Sequence, residues 1–389
     1  MQVRYFFYII LLIFALTDKV EAQEYSVEEK EKFISDSLSS SYDDGYNFLR
    51  STSLYDDDRF NFRFYFHPFF KNTEYFGDFV KGYTLIGFHF QPEISYSINS
   101  FLKVQLMWNL LKYSGYDKYT ENKVYPRIVF APTESFKIIC GYLEGNLKHN
   151  LIEPIYNPDR YYTDNVENGL QFLLHKPRYN GDMWLNWEKF ILWGDPWQER
   201  LTFGHRSELF FVKREQFLAS FLGELLIAHR GGQIDNSPGQ VQSLENGALG
   251  FKINRLGNSD QKFRQFSFQA MFAQFHCIDQ TADIPYIDGF GIYAKALLRI
   301  GSVGFSQGYW YGDRFMNFRG DPLFTCQAIN WENNVRHRTM IFNELFLTKS
   351  YCNGLFVLRT GANSYFDPKA GTLEYSYMLS LILKIVNGF

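Results

Sequence analysis

The last segment of the chain alternates over its whole length. Leu373, Tyr375, Tyr377, Leu379, Leu381, Leu383, Ile385 and Phe389 share one side of an extended backbone, interrupted only by Asn387. Glu374, Ser376, Met378, Ser380, Lys384 and Gly388 fall on the other, with Ile382 and Val386 as exceptions. A period of two means a strand, and a charge-free face opposite a polar one suits a wall between lipid and a polar interior. The same texture recurs upstream. Ile86, Phe88, Phe90, Ile94 and Tyr96 oppose His89, Gln91, Glu93, Ser95 and Ser97, and Ile292, Ala294, Ala296, Leu298 and Ile300 oppose Lys295 and Arg299.

Alternation alone also fits a soluble sandwich. Composition narrows the choice: aromatics make up 19% of residues, yet the mean hydropathy is −0.26. So many large rings in a chain of negative hydropathy have to be interleaved with polar residues. After the first twenty residues, nothing reaches the roughly twenty apolar residues a membrane helix needs, so a membrane span here is built from strands.

The connections decide the architecture. Strands are predicted near 60–70, 79–97, 101–112, 123–131, 135–147, 166–176, 181–192, 199–212, 215–230, 246–255, 262–278, 289–300, 302–312, 337–348, 353–364 and 372–389. Every second connection is tight, as at Asn99-Ser100, Lys213-Arg214 and Gly301. Those between are mostly longer, as at 148–165, 231–245 and 313–336. The fold class is therefore all-β: a transmembrane antiparallel up-and-down β-barrel of about sixteen strands (14–18), with short periplasmic turns and long extracellular loops.

The N-terminus divides the rest. Arg4, the apolar run 5–16 and the small residues Val20 and Ala22 mark residues 1–22 as a signal peptide. Residues 23–59 form an acidic periplasmic leader or plug, and 60–389 the barrel. Ser26 to Glu29 has capping-box spacing for a helix running towards Ser39. Residues 24–58 hold ten acidic side chains against Lys30, Lys32 and Arg50, a net of −7. The whole chain is −3, so residues 59–389 carry +4.

The closing strand, ending on Phe389 with Leu381, Leu383 and Ile385 at alternate positions before it, resembles the barrel-insertion signature of Gram-negative outer-membrane β-barrel proteins. That resemblance implies an outer-membrane location, with outer-membrane lipids and the barrel-assembly machinery as partners. It identifies no substrate and no subfamily. The block GYWYGDRF (308–315) stands out without an attached function.

Inward-facing polar residues are the candidates for chemistry: His89, Gln91, Glu93, Lys103, Gln105, Asn109, Arg206, Glu208, Gln265, Gln269, Lys295, Arg299 and Lys384. Sixteen strands enclose an aqueous channel, which these side chains would line, or else they pair into a fixed polar plug. A porin-like channel for passive transport of small hydrophilic solutes is the leading reading. A non-transport surface barrel binding glycans or assembling polysaccharide or a secretion partner is the alternative, and an outer-membrane hydrolase is third.

The chain is not expected to be an enzyme. It has no GxSxG elbow, no HExxH and no phosphate-cradling glycine loop. His89, Glu93, Ser95 and Ser97 share a face, but nothing marks a nucleophile paired with its base. His205 and His229 lack ligand spacing, and Cys140, Cys277, Cys326 and Cys352 form no CxxC pair, so no metal, cofactor or nucleic acid is expected. Cys326 and Cys352 are expected on opposite rims, out of disulfide reach. Trp108, Trp184, Trp193, Trp197, Tyr309, Trp310 and Tyr311 suit aromatic girdles at the interfaces.

Overall fold

The computed structural model describes residues 59–388, apart from 233, 258–261 and 280–283. The signal peptide, the helix expected at 27–39, the acidic stretch to residue 58 and Phe389 lie outside the described residues.

Sixteen strands follow in chain order: β1 (Phe60–Glu74), β2 (Thr84–Asn99), β3 (Leu102–Tyr113), β4 (Glu121–Thr133), β5 (Phe136–Tyr142), β6 (Asn168–Lys176), β7 (Tyr179–Lys189) and β8 (Glu199–Arg214). Then come β9 (Phe217–Gly231), β10 (Gln242–Leu256), β11 (Phe263–Cys277), β12 (Asp288–Ile300), β13 (Val303–Asp313), β14 (His337–Tyr351), β15 (Phe356–Asp367) and β16 (Thr372–Gly388). Each strand pairs antiparallel with the next, and β16 pairs with β1 to close the barrel, with Phe64 opposite Ile385 and Phe70 opposite Leu379. Closure removes the unpaired edge that hydrocarbon could not satisfy.

The alternation sorts the two faces. Along β16, Leu373, Tyr375, Tyr377, Leu379, Leu381 and Ile385 are exposed on the outside, while Glu374, Ser376, Ser380 and Ile382 are buried inside. The short turns gather on one rim with the start of β1 and the end of β16, the periplasmic rim of such barrels. The longer loops gather on the other.

Two of those loops fold into the barrel instead of standing above it. In 143–167, a 3-10 turn (Asn146–His149) and the short helix α1 (Arg160–Thr163) carry the chain into the lumen; 314–336 joins it. Ile152, Ile155, Phe315, Met316, Leu323 and Phe324 from these loops pack against inward side chains of the wall, including Trp184, Leu226, Trp310 and Phe342. The outer half of the lumen therefore has an apolar core.

That core accounts for two departures from the sequence expectations. The strand expected over 135–147 stops at Tyr142, because Gly141 takes φ +111° and the chain turns inward. A Cβ there would lie 2.1 Å from the Pro126 carbonyl oxygen. Trp184 and Trp310, expected in the girdles, are instead buried at 1% and 0% exposure. The GYWYGDRF block now has a structural role: Trp310 meets Phe315 at 4.9 Å, and Gly308 leaves the space that the Phe342 ring fills.

Cys326 is buried in the 314–336 loop and Cys352 is exposed at a turn on the opposite rim; both are free.

Candidate active site on the outer rim

Inside the barrel, polar pins hold the loop 143–167. His149 sits between two carboxylates, Nε2 at 2.7 Å from Glu167 and Nδ1 at 2.7 Å from Asp182 of β7, with its ring stacked on Trp184. Glu167 also accepts from the Asn146 amide (2.7 Å) and the Tyr156 hydroxyl (2.8 Å). Burial alone would push the His149 imidazolium towards neutrality. Asp182 and Glu167 outweigh that and hold its pKa up at about 9. Burial likewise opposes the Glu167 charge, but His149 and the donors around it bring this carboxyl down to about 2. An imidazole that stays protonated at neutral pH cannot serve as a general base, so His149 anchors the loop.

Further pins follow. Glu153 accepts from Tyr293 (2.5 Å) and Lys295 (2.6 Å), Asp159 accepts from Lys71 and Tyr83 (2.5 Å each), and Arg319 of the second loop pairs with Glu188. A cavity of about 80 Å³ remains beneath the loop, between Glu153, Tyr293, Lys295 and Tyr365, enough for a few waters.

The thirteen polar residues singled out in the sequence fall on the inward face of their strands, where most pair with each other or with the loop. Gln91 donates to Asn109 (2.7 Å), Gln105 to Glu93 (2.9 Å), Arg206 to Glu208 (3.1 Å) and Gln265 to Asn254 (3.1 Å). His89 is fully buried and stacks on His67 of β1. Lys103 is buried, Gln269 and Lys295 border the cavity, and Arg299 and Lys384 are partly buried. Among the described residues, none of these groups holds a serine hydroxyl against an imidazole; Ser220 donates instead to the Glu208 carboxylate at 2.8 Å, which Arg206 also occupies.

Such a pair occurs on the opposite face. His229 of β9 and Ser243 of β10 are directly opposed across the hairpin, and Nδ1 of His229 lies 3.0 Å from Ser243 Oγ. Both side chains fall on the same face as the lipid-facing residues Leu225, Ile227 and Leu249, an even number of residues away along their strands, and so project outward. His229 is two residues from the outer end of β9 and Ser243 is the second residue of β10. At roughly 3.3 Å per residue this places the pair within about 7 Å of the rim.

Glu245, two residues beyond Ser243, faces the same way and accepts from Gln274 of β11 (3.1 Å). Across the sheet, Glu245 lies opposite His276, and His276 opposite Asp288 of β12. These polar groups form the upper side of an outward crevice floored by the stacked rings of Phe272 and Phe290, 5.8 Å apart. Apolar below and polar above, the crevice lies where acyl chains give way to headgroups. A hydroxyl held by an imidazole beside it can be deprotonated to attack a carbonyl. Sequence reading missed the pair because β10 starts at Gln242 and not near 246, which left Ser243 and Glu245 in a presumed loop. The signal that could have found them is hairpin register, since His229 and Ser243 face each other across the loop 232–241.

The sequence matches the family described as Lipid A 3'-O-deacylase-type over residues 51–386. No curated protein matches it. Among solved structures it is similar to a loop L8 deletion mutant of OmpT, an outer membrane protein of Vibrio cholerae. The TM-score is 0.50 at 9% identity, covering 84% of this chain and 100% of that one. It is also similar to two outer membrane proteins of Pseudomonas aeruginosa. For opdK the TM-score is 0.49 at 8% identity, with 84% and 99% covered; for OprD it is 0.49 at 7%, with 85% and 94% covered. The first likeness carries the barrel fold, and the apolar exterior places that barrel in the outer membrane. The family match overturns the expectation that the chain is not an enzyme. Side chains brought together from two different strands, as His229 and Ser243 are, leave no contiguous motif for sequence reading to find.

Proposed function

The chain belongs to the Lipid A 3'-O-deacylase-type family, and on that premise we propose that it is an outer-membrane hydrolase that removes an ester-linked acyl chain from a lipid A-type glycolipid. The observation that carries this reading is the 3.0 Å contact of Ser243 with His229 on the lipid-facing side of the outer rim. In the proposed reaction Ser243 Oγ attacks the ester carbonyl and His229 takes its proton. The C–O bond to the sugar then breaks, and His229 returns the proton to the departing oxygen. Water subsequently cleaves the acyl-serine, releasing the fatty acid. The Phe272–Phe290 floor suits the acyl chain, and Glu245, Gln274, His276 and Asp288 suit the sugar side. The test is fatty-acid release from lipid A by the purified protein in detergent. Ser243→Ala is expected to lose at least about a hundredfold of the activity, and activity equal to wild type would refute the reading.

A porin-like channel is the second reading. It is favoured by the closed ring of sixteen strands, a width that elsewhere encloses water, and by the charged inward faces of the periplasmic half. Loops 143–167 and 314–336 cross the outer half, so conduction requires them to move aside. Conductance steps in a planar bilayer would support this reading, and a silent membrane containing folded protein would end it.

A further inference from the structure

Two arginines stand on the lipid-facing side of the wall at the periplasmic rim. Arg214 is the last residue of β8, and Arg255 is one residue from the end of β10. Phe217, the first residue of β9, is directly opposite both of them. All three are exposed, and the pleat puts them on the same face as the outward Phe221 and Phe251, four residues further into the membrane. The two arginine backbones are thus two strand spacings apart, roughly 10 Å, so both guanidinium groups can reach one anion held over the Phe217 ring. A charge on this face is costly unless it stays at the interface. Among the described residues neither arginine forms an ion pair; Glu215 adjoins Arg214 in the turn and is exposed. Arg255 lies instead over the Phe263 ring, 5.8 Å from its centre. About 13 Å deeper along the strands the same patch is wholly apolar. There Phe221 is directly opposite Phe251, and its ring lies 4.7 Å from that of Phe211.

We propose that Arg214 and Arg255 clamp the phosphate of an anionic phospholipid of the periplasmic leaflet, with Phe217 beneath the headgroup and an acyl chain lying along Phe221 and Phe251. A guanidinium group presents a fork of donors that matches phosphate oxygens, and its charge shortens and strengthens those hydrogen bonds. Charge complementarity alone would also admit a free phosphate or an acidic periplasmic protein. A free phosphate leaves the exposed rings uncovered, and a water-soluble protein would have to enter the bilayer to lie against them. A lipid satisfies the arginines with its headgroup and the rings with its chain. This inference is independent of the hydrolytic reading, because the arginines lie at the opposite rim from His229 and Ser243.

Native mass spectrometry of the delipidated full-length protein in detergent tests it, with palmitoyl-oleoyl phosphatidylglycerol or the matched phosphatidylcholine added back. Each arginine near an anionic headgroup is worth a factor of about five, so phosphatidylglycerol is expected to be retained at least about tenfold better. The double variant Arg214→Gln/Arg255→Gln should lose that preference while keeping the heat-modifiable mobility of the folded barrel. Lys349→Gln removes a cation from the same outward face of β14 as Leu345 and should leave the preference intact. Equal retention of the two lipids by the wild type would overturn the proposal, whether or not the double variant folds. So would a preference that survives in the folded double variant, or one that Lys349→Gln reduces as much, which would mark an effect of total charge. Displacement of phosphatidylglycerol by an equimolar amount of glycerol phosphate would also overturn it, because the site would then read the anion without the lipid.

Discussion

Ser243 Oγ and His229 Nδ1 lie 3.0 Å apart across one hairpin, on the side of the barrel wall that meets lipid. A protein that acts on a membrane lipid from this position needs no open lumen, and the outer half of this lumen is packed with apolar side chains. The wall thus presents the candidate chemistry while the interior supplies rigidity.

His229→Ala is expected to lower acyl release by about 10²–10⁴-fold, the usual worth of a positioned general base. The side chain faces outward, so the heat-modifiable mobility of the folded barrel on gels should not change. Loss of folding together with activity would count against a catalytic role.

The His149 pin predicts a pH dependence. Its pKa is raised from the ordinary 6.5 to about 9, so its contribution is complete below about 6.5 and is lost as pH rises through 9. Glu167, held down at about 2, contributes above about 4.5 and loses its share only in strong acid. The pin is therefore at full strength between about pH 4.5 and 6.5. Thermal midpoints should fall between pH 6.5 and 9, by an amount corresponding to about 3 kcal/mol. His149→Ala should flatten that slope and, by leaving two carboxylates without their cation, cost about 3–5 kcal/mol. A wild-type and variant pair with parallel pH profiles would contradict the assignment.

Gly308→Ala probes the inner core. A Cβ at Gly308 would come within 2.0 Å of the Phe342 ring, which is buried beside Phe324 and Tyr293. Overpacking of this kind costs about 1–3 kcal/mol. Urea unfolding of the detergent-solubilised barrel is the measurement, and an unshifted midpoint would mean that the ring moves freely.

Thiol labelling checks the topology. Cys352 is exposed at a turn, whereas Cys326 is buried, and burial pushes its thiol up to about 11. A water-soluble maleimide should modify Cys352 rapidly in the native protein and Cys326 only after denaturation. Equal rates at the two sites would show that the loop 314–336 does not occupy the lumen.

Much of this protein is written locally. Period-two alternation depends on residues two apart, so the sixteen strands, their faces and the rim on which each loop falls are legible in the chain itself. Leu379 and Leu381 outside, Ser380 and Ile382 inside, follow from the pleat alone. What alternation cannot express is a contact between distant segments. His149 meets Asp182 because a loop bends into the lumen, Trp310 is drawn inside by Phe315 and Phe324, and Ser243 meets His229 through a register set by where β10 begins. The pleat puts Asp182 and Trp310 on the inward face and His229 and Ser243 on the outward one, whereas His149, Phe315 and Phe324 lie in the loops. Only closure of the barrel and descent of the two loops decided which of them would touch, because those contacts depend on packing across the lumen and between strands.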